Sequence, residues 1–272
     1  MATDLAWDGI CQAADQPLIR ADDRSYLAGE GAFETLRVTA GHVQALPWHL
    51  ERLHGTLAWL GWPERLDVAQ VRRTATELLA RNGLTGARLR LTVSRDPQGL
   101  HWLLQAVAYQ PPAEALGRDG VAVISVADVA HPRLPHKLTS RAAYAVVDRL
   151  AKEAGVYEGL FCDGETWLEG SRTNLLALRG DQLFVGDGRL ILPGIARRAI
   201  IAAAGRSDLR LSHVGVDRWA TTGYDGLFLT NSLIGVLPVC AVDGEAVAVS
   251  ARATRRLREA LQWGLAQAMA LP

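Results

Sequence analysis

Apolar positions along the chain alternate with polar ones in short runs, and these runs are interrupted by stretches in which they recur every three or four residues. Ala32–Val38 and Val43–Leu46 flank Ala40-Gly41-His42, a pattern that predicts a β-hairpin. Pro47 opens a segment with apolar residues at Leu50, Leu53, Leu57 and Leu60, the spacing of an amphipathic helix ending at Gly61. A second helix is expected from about Asp67 to Arg81, closed by Asn82-Gly83. Ala87–Ser94 and Leu100–Tyr109 read as strands joined by a polar loop, a short strand leads the chain, and Asp22 to Gly31 reads as turn chemistry. The paired prolines of Gln110-Pro111-Pro112-Ala113-Glu114 cannot continue either neighbour, so a boundary belongs there. The expected organisation is a small N-terminal α+β domain at 1–112, a linker at 113–120 and a larger C-terminal domain at 121–272. The second domain reads as strand 121–127, a loop with Pro132 and Pro135, a helix from about 139 to 154, and strands at 158–162, 174–178 and 182–185. A helix at 194–204, strands at 226–230 and 236–241 and a terminal helix at about 250–269 complete an α+β fold.

Composition narrows the class. Among 272 residues, 49% are hydrophobic and 21% charged, enough apolar material for a buried core. The 29 basic and 29 acidic residues cancel, so the electrostatic footprint of nucleic-acid or anionic-membrane binding is missing and a small-molecule substrate is expected. Cys11, Cys162 and Cys240 form no CxxC pair, and no run approaches the ~20 apolar residues of a membrane span, so a cytoplasmic protein is expected. All but two of the basic residues are arginine, which makes Lys137 and Lys152 the only lysines available for amine chemistry.

Lys137 lies in His136-Lys137-Leu138-Thr139-Ser140-Arg141, where a proline-rich loop meets a helix. It is either an ordinary solvated side chain or a desolvated amine able to form a Schiff base, a role that lysine can fill and arginine cannot. Glu169-Gly170-Ser171-Arg172-Thr173-Asn174 reads as a turn between strands. Leu192-Pro193-Gly194-Ile195-Ala196-Arg197-Arg198 reads as a tight turn opening a helix, whose first N–H groups suit a phosphate or simply start a helix. Arg52, in His49-Leu50-Glu51-Arg52, is most simply a surface arginine. The seven histidines show no metal-ligand spacing with Cys or Asp, so no metal is expected.

In this order the pieces resemble the class IV aminotransferase family, the D-amino-acid-aminotransferase-like enzymes of fold type IV that use pyridoxal 5′-phosphate. The resemblance rests on Gly29-Glu30-Gly31-Ala32-Phe33-Glu34-Thr35-Leu36-Arg37, the H-x-x-R helix, Lys137, the E-x-x-x-x-N turn, the P-G-I-x-R helix start, and Thr230-Asn231-Ser232 leading to Val236-Leu237-Pro238-Val239. It implies a two-domain α+β fold with the active site between the domains, and a homodimer. It also implies that Lys137 holds the cofactor and moves the Cα proton, while Glu169 keeps the pyridine nitrogen protonated. Arg52, Asn174, Ile195, Ala196, Asn231 and Ser232 complete the implied cofactor site.

Within the family, Lys137-x-x-x-Arg141 and Thr230-Asn231-Ser232-Leu233-Ile234-Gly235-Val236-Leu237-Pro238-Val239 resemble the 4-amino-4-deoxychorismate lyases. D-amino-acid transaminases place an arginine and a histidine for the substrate carboxylate five and seven residues beyond the arginine of Ser94-Arg95; here those positions are Leu100 and Trp102. Lyases often keep the first of these two partners, so the departure disfavours a D-amino-acid transaminase and also leaves part of the lyase pattern missing. On the Lys137-x-x-x-Arg141 and Thr230–Val239 segments the expected function is a lyase that converts 4-amino-4-deoxychorismate to 4-aminobenzoate and pyruvate in folate biosynthesis. A transaminase of D-amino or branched-chain acids is the alternative. Arg95 and Arg141 are the candidates for binding substrate carboxylates, and Thr35 for protonating the leaving group.

Overall fold

The computed structural model describes residues 4–15 and 17–269. These divide into two compact units, one built from residues up to Gln110 together with His136–Arg141, the other from Pro111–Pro135 and Ala142–Gln267.

The first unit holds β1 (Asp4–Trp7), β2 (Ile10–Ala13), α1 (Arg24–Ala28), β3 (Ala32–Thr39), β4 (His42–Val43), α2 (Leu46–Trp59), α3 (Val68–Arg81), β5 (Ala87–Asp96) and β6 (Gly99–Ala108). Its antiparallel sheet runs β2-β1-β6-β5-β3-β4. Ala40 and Gly41 take positive φ values of 50° and 78°, which turns β3 into β4 over two residues. Because side chains alternate across a strand, Leu36, Val38, Leu89, Leu91 and Val93 face a core completed by Leu50, Leu53 and Leu57 of α2 and Leu78 of α3. Phe33, Thr35 and Arg37 project from the opposite face, directly across from Thr92, Arg90 and Arg88. Asp67 caps α3 by accepting from the Gln70 amide at 2.7 Å. The expected turn at 22–31 contains α1, whose start Asp23 caps by accepting from the Tyr26 amide at 3.0 Å.

The segment carrying Lys137 lies against this unit. The Phe33 amide donates to the Lys137 carbonyl at 3.0 Å, the Thr139 amide to the Gly31 carbonyl at 2.9 Å, and Ala32 bridges Leu138. Those pairings hold 137–139 extended, so the helix expected from 139 begins only at Ala142.

The second unit contains α4 (Glu114–Asp119), β7 (Val121–Val126), α5 (Ala142–Glu153), β8 (Glu158–Asp163), β9 (Thr166–Gly170), β10 (Asn174–Arg179), β11 (Gln182–Phe184), α6 (Ile195–Ala203), β12 (Arg210–Ser212), β13 (Val216–Asp217), β14 (Gly226–Asn231), β15 (Gly235–Val242), β16 (Glu245–Ala246) and α7 (Ala251–Met269). The segment expected as a linker at 113–120 thus holds a short helix, α4. The sheet runs β12-β11-β10-β14-β15-β7-β8-β9-β13, and β9 also pairs with β10 through Glu169 opposite Asn174. That one pairing closes six strands into a barrel-like ring around Val123, Leu160, Trp167, Leu175, Leu229 and Val239. Glu169 is the next-to-last residue of β9 rather than part of the expected turn, because Trp167, 2% exposed, anchors β9 in this core. No helix among the described residues is long and apolar enough to cross a membrane.

Candidate active site

In the first unit, the Lys137 amine stands 4.5 Å from the centre of the Phe33 ring. Beneath the same strand, Glu34 is fully buried and receives three hydrogen bonds. Arg52 donates from Nε at 2.8 Å and Nη2 at 2.6 Å, and His49 Nδ1 lies 2.6 Å from Oε2. Burial alone would raise the Glu34 pKa, but the Arg52 charge and the bonds from Arg52 and His49 outweigh it and bring it to about 2. Burial pushes the His49 imidazole below its usual range despite the attraction of Glu34, with the positive charges of Arg52 and Lys137 adding to the effect. The Arg52 guanidinium is therefore clamped in one orientation. His49 and Arg52 are three apart on α2 and share a face; that spacing was the available signal for the clamp, but the strand carboxylate it grips became visible only with the fold.

Thr35 is half-buried on the Phe33 face, opposite Arg90. Arg141 presents its guanidinium carbon 5.6 Å from the Phe33 centroid. Arg95, expected to bind a substrate carboxylate, is instead taken up by an ion pair with Glu64 and lies 5.5 Å over the Trp62 ring. Trp102 is 5% exposed in the core of this unit, and His101 Nδ1 lies 2.7 Å from Asp8 Oδ2.

In the second unit, three donors converge on Glu169. His131 Nδ1 accepts from the Arg133 amide at 2.9 Å, so its Nε2 carries the proton and donates to Glu169 Oε1 at 2.9 Å. Asn174 Nδ2 and the Leu192 amide donate to Oε2 at 3.0 and 3.1 Å. Asn174 also donates to the Leu192 carbonyl at 2.8 Å, which ties the β9–β10 pair to the turn before α6. Gly194 is the N-cap of α6 and offers no side chain to it, so the first amides of the helix, including those of Ile195 and Ala196, keep an outward face. A Cβ at Gly194 would fall on Asn174 Oδ1. Gly194→Ala is expected to push Asn174 off Glu169 and to weaken, at least ~10-fold in a spectroscopic titration, binding of the pyridoxal 5′-phosphate that the resemblance implies.

Asn231 differs from expectation. Its Oδ1 accepts from the Leu233 and Ile234 amides at 2.8 and 2.9 Å and its Nδ2 donates to the Arg172 carbonyl at 3.2 Å, so the side chain closes its own turn rather than facing a ligand. That turn presents Ser232 between β14 and β15.

The 169–174 segment rests on a carboxyl that sequence reasoning missed. Glu158 Oε1 accepts from the Arg172 amide at 2.5 Å, while among the described residues Oε2 and the nearby Thr173 hydroxyl are buried without a hydrogen-bond partner. Burial drives the Glu158 pKa up to about 7. The folded chain therefore binds a proton that the unfolded chain releases near pH 4.5, and the stability this contributes is complete below that pH and lost as pH rises through about 7. Glu158→Gln is expected to flatten this dependence and to raise Tm at pH 8 by about 5 °C relative to the parent, with little change at pH 4.5, in thermal melts across pH.

The family model for amino-transferase class IV matches residues 31–242. The chain belongs to the class IV aminotransferase family. The class IV relatives include D-alanine aminotransferase of Bacillus licheniformis, 24% identical over 270 residues and covering 95% of each chain. They also include the bifunctional aminodeoxychorismate lyase / D-amino acid transaminase of Mycobacterium tuberculosis, 33% identical over 192 residues, 64% of this chain and 66% of that one. The fold is the class IV aminotransferase fold, fold type IV. A hypothetical aminotransferase from Mycobacterium tuberculosis in its PLP-bound form superposes with a TM-score of 0.85 at 20% identity, covering 97% of this chain and 99% of that one.

Proposed function

We propose that this class IV enzyme is a 4-amino-4-deoxychorismate lyase that forms 4-aminobenzoate and pyruvate. The observation that carries the reading is the lyase-like pair of segments, Lys137-x-x-x-Arg141 beside Phe33 and the Asn231-Ser232 turn between β14 and β15; positions 100 to 102 speak against the transaminase. Where D-amino-acid transaminases carry an arginine and a histidine for the substrate carboxylate, Leu100 and Trp102 pack into the core of the first unit. His101 between them is held by Asp8 and Asp96. Lys137, Arg141 and Arg90 gather around the Phe33 ring, a set suited to a more anionic substrate.

Pyridoxal 5′-phosphate is the cofactor, and the residues present fit it. Lys137 supplies the amine for its aldehyde, and Glu169, whose oxygens already collect three donors, supplies an acceptor for its ring N–H. The clamped Arg52, the Ile195 and Ala196 amides and the Ser232 turn supply its phosphate donors, and the Gly194 start of α6 leaves that turn open. When bound, the cofactor withdraws electrons from the carbon that loses its proton.

Lys137 would then serve as the base that removes the proton from the carbon bearing nitrogen. The C–O bond on the neighbouring carbon then breaks, its electron pair leaving with the enolpyruvyl oxygen. Thr35 on β3 is the candidate to direct a proton to that leaving group, which becomes pyruvate. The ring retains the nitrogen and aromatises, and that gain makes the step irreversible. A cytoplasmic homodimer acting on a small molecule completes the proposal.

A D-amino-acid transaminase is the second reading, favoured by the D-alanine aminotransferases among the relatives. Enzyme supplied with 4-amino-4-deoxychorismate should release 4-aminobenzoate and pyruvate in equal amounts. Rapid, general amino transfer from D-amino acids to 2-oxoglutarate without 4-aminobenzoate would replace the lyase reading with the transaminase one.

A further inference from the structure

In the second unit a chain of hydrogen bonds begins in the turn His131-Pro132-Arg133, in the loop after β7, and ends on Glu169. Proline fixes its own φ and keeps the residue before it extended. Arg133 takes a φ of 52°, a left-handed conformation that a non-glycine residue holds only where its surroundings impose it. Its amide donates to His131 Nδ1 at 2.9 Å, and its guanidinium pairs with Asp163 of β8 at 2.5 Å. Phe161 and Tyr144 meet the imidazole edge-on, with ring centres 4.9 and 5.9 Å away. Plane and tautomer of His131 are thus both fixed, and its Nε2 can only donate, to Glu169 Oε1 at 2.9 Å. The two side chains are 1% and 4% exposed, so this bond runs out of reach of water, where it counts for more. Among the described residues, every group that hydrogen-bonds Glu169 is uncharged: besides this imidazole they are Asn174 of β10 and the Leu192 amide before α6. Arg197 of α6 feels the Glu169 charge, yet its Nε and Nη2 donate to the Val185 and Gly186 carbonyls at 2.6 and 2.9 Å. Donors of this kind hold a carboxylate in place without cancelling its charge, which stays available to a proton on a bound ring.

We propose that His131 is a positioning residue for the cofactor: through its Nε2–H it fixes the Glu169 carboxylate in the orientation that keeps the ring nitrogen of pyridoxal 5′-phosphate protonated. Without that donor, Oε1 becomes a buried acceptor left unsatisfied, and the carboxylate turns to satisfy it at the expense of its aim. The inference rests on the reading of Glu169 as the partner of the ring nitrogen. It holds for a lyase and for a transaminase alike.

Two substitutions separate the two nitrogens of the imidazole. His131→Asn keeps an acceptor where Nδ1 meets the Arg133 amide and is too short to reach Glu169, whereas His131→Gln places an amide N–H near the position of Nε2. The enzyme is loaded with pyridoxal 5′-phosphate carrying nitrogen-15 in its ring, and the chemical shift of that nitrogen reads its protonation directly, without turnover. At about pH 8 the parent should show the protonated ring, and Glu169→Gln should move the signal toward the unprotonated position. His131→Asn should move it by at least about one third of that displacement, and His131→Gln should bring it back to within about one tenth of the displacement from the parent position. Added to Glu169→Gln, His131→Asn should move it no further, because the effect passes through the carboxylate. An unmoved signal in His131→Asn beside a moved one in Glu169→Gln overturns the role of His131 alone. So does an undiminished further shift in the double variant, which a purely structural part would give. An unprotonated ring in the parent, or a Glu169→Gln enzyme whose signal is unmoved or whose cofactor is lost, removes the reading of Glu169 and the proposal with it. If His131→Asn does not fold, His131→Phe, which fills the space beside Tyr144 and Phe161 and donates nothing, decides by the same displacement.

Discussion

Replacing Lys137 by alanine should abolish turnover, lowering kcat by ~10⁴-fold or more, and should remove the visible absorbance of the loaded enzyme. On the proposed mechanism two functions are lost together, the amine that anchors the cofactor and the base that takes the proton, and a positioned base alone is worth ~10²–10⁴-fold. The fold should survive, because the links of this segment to β3 are made by main-chain atoms: the Lys137 carbonyl accepts from Phe33 and the Thr139 amide donates to Gly31. Rapid mixing for kcat, an absorbance spectrum and a thermal melt separate these outcomes. Retained visible absorbance in Lys137→Ala would remove the residue from its proposed role.

Glu169→Gln should keep the cofactor and slow turnover ~10²-fold or more. A carboxylate facing the ring nitrogen favours the protonated ring, and an amide does not, so the same bound cofactor becomes a weaker electron sink. The local frame should tolerate the change in part. Two of the three groups that meet Glu169, His131 Nε2 and the Leu192 amide, donate from positions set by other bonds, and a glutamine oxygen can accept only from one side. A loss concentrated in kcat with cofactor affinity changed less than ~10-fold is the expected pattern. Unchanged kcat, or loss of the cofactor itself, would assign Glu169 a different part.

How much of this was legible beforehand depends on whether a residue's role is local or set by the fold. The helices α2 and α3 could be read from apolar spacing and their caps, since Pro47, Asp67 and Asn82-Gly83 act within a few residues of themselves. Strand β9 could not, because Thr166–Gly170 is short and its pairing with β10 across Glu169 and Asn174 is a property of the closed ring. Arg95 illustrates the converse. A charged residue after a strand reads as available, and only the fold shows Glu64 and Trp62 beside it. Arg90 went unnoticed for the same reason: an arginine in a strand gives no sign of its face, and Phe33, whose ring it lies over, is distant in the sequence. Glu34 and Glu158 are buried carboxyls that composition treats as surface charge; their partners, Arg52 with His49 and the Arg172 amide, lie 14 to 18 residues away.

The chain's two lysines permit a direct measurement of the central claim. Reducing the cofactor-loaded enzyme with borohydride fixes the aldehyde carbon to whichever amine holds it, and peptide mass mapping then reads the site. The account requires the pyridoxyl mass on the peptide containing Lys137. Label on Lys152, or a fully loaded enzyme that yields no lysine adduct, would contradict it.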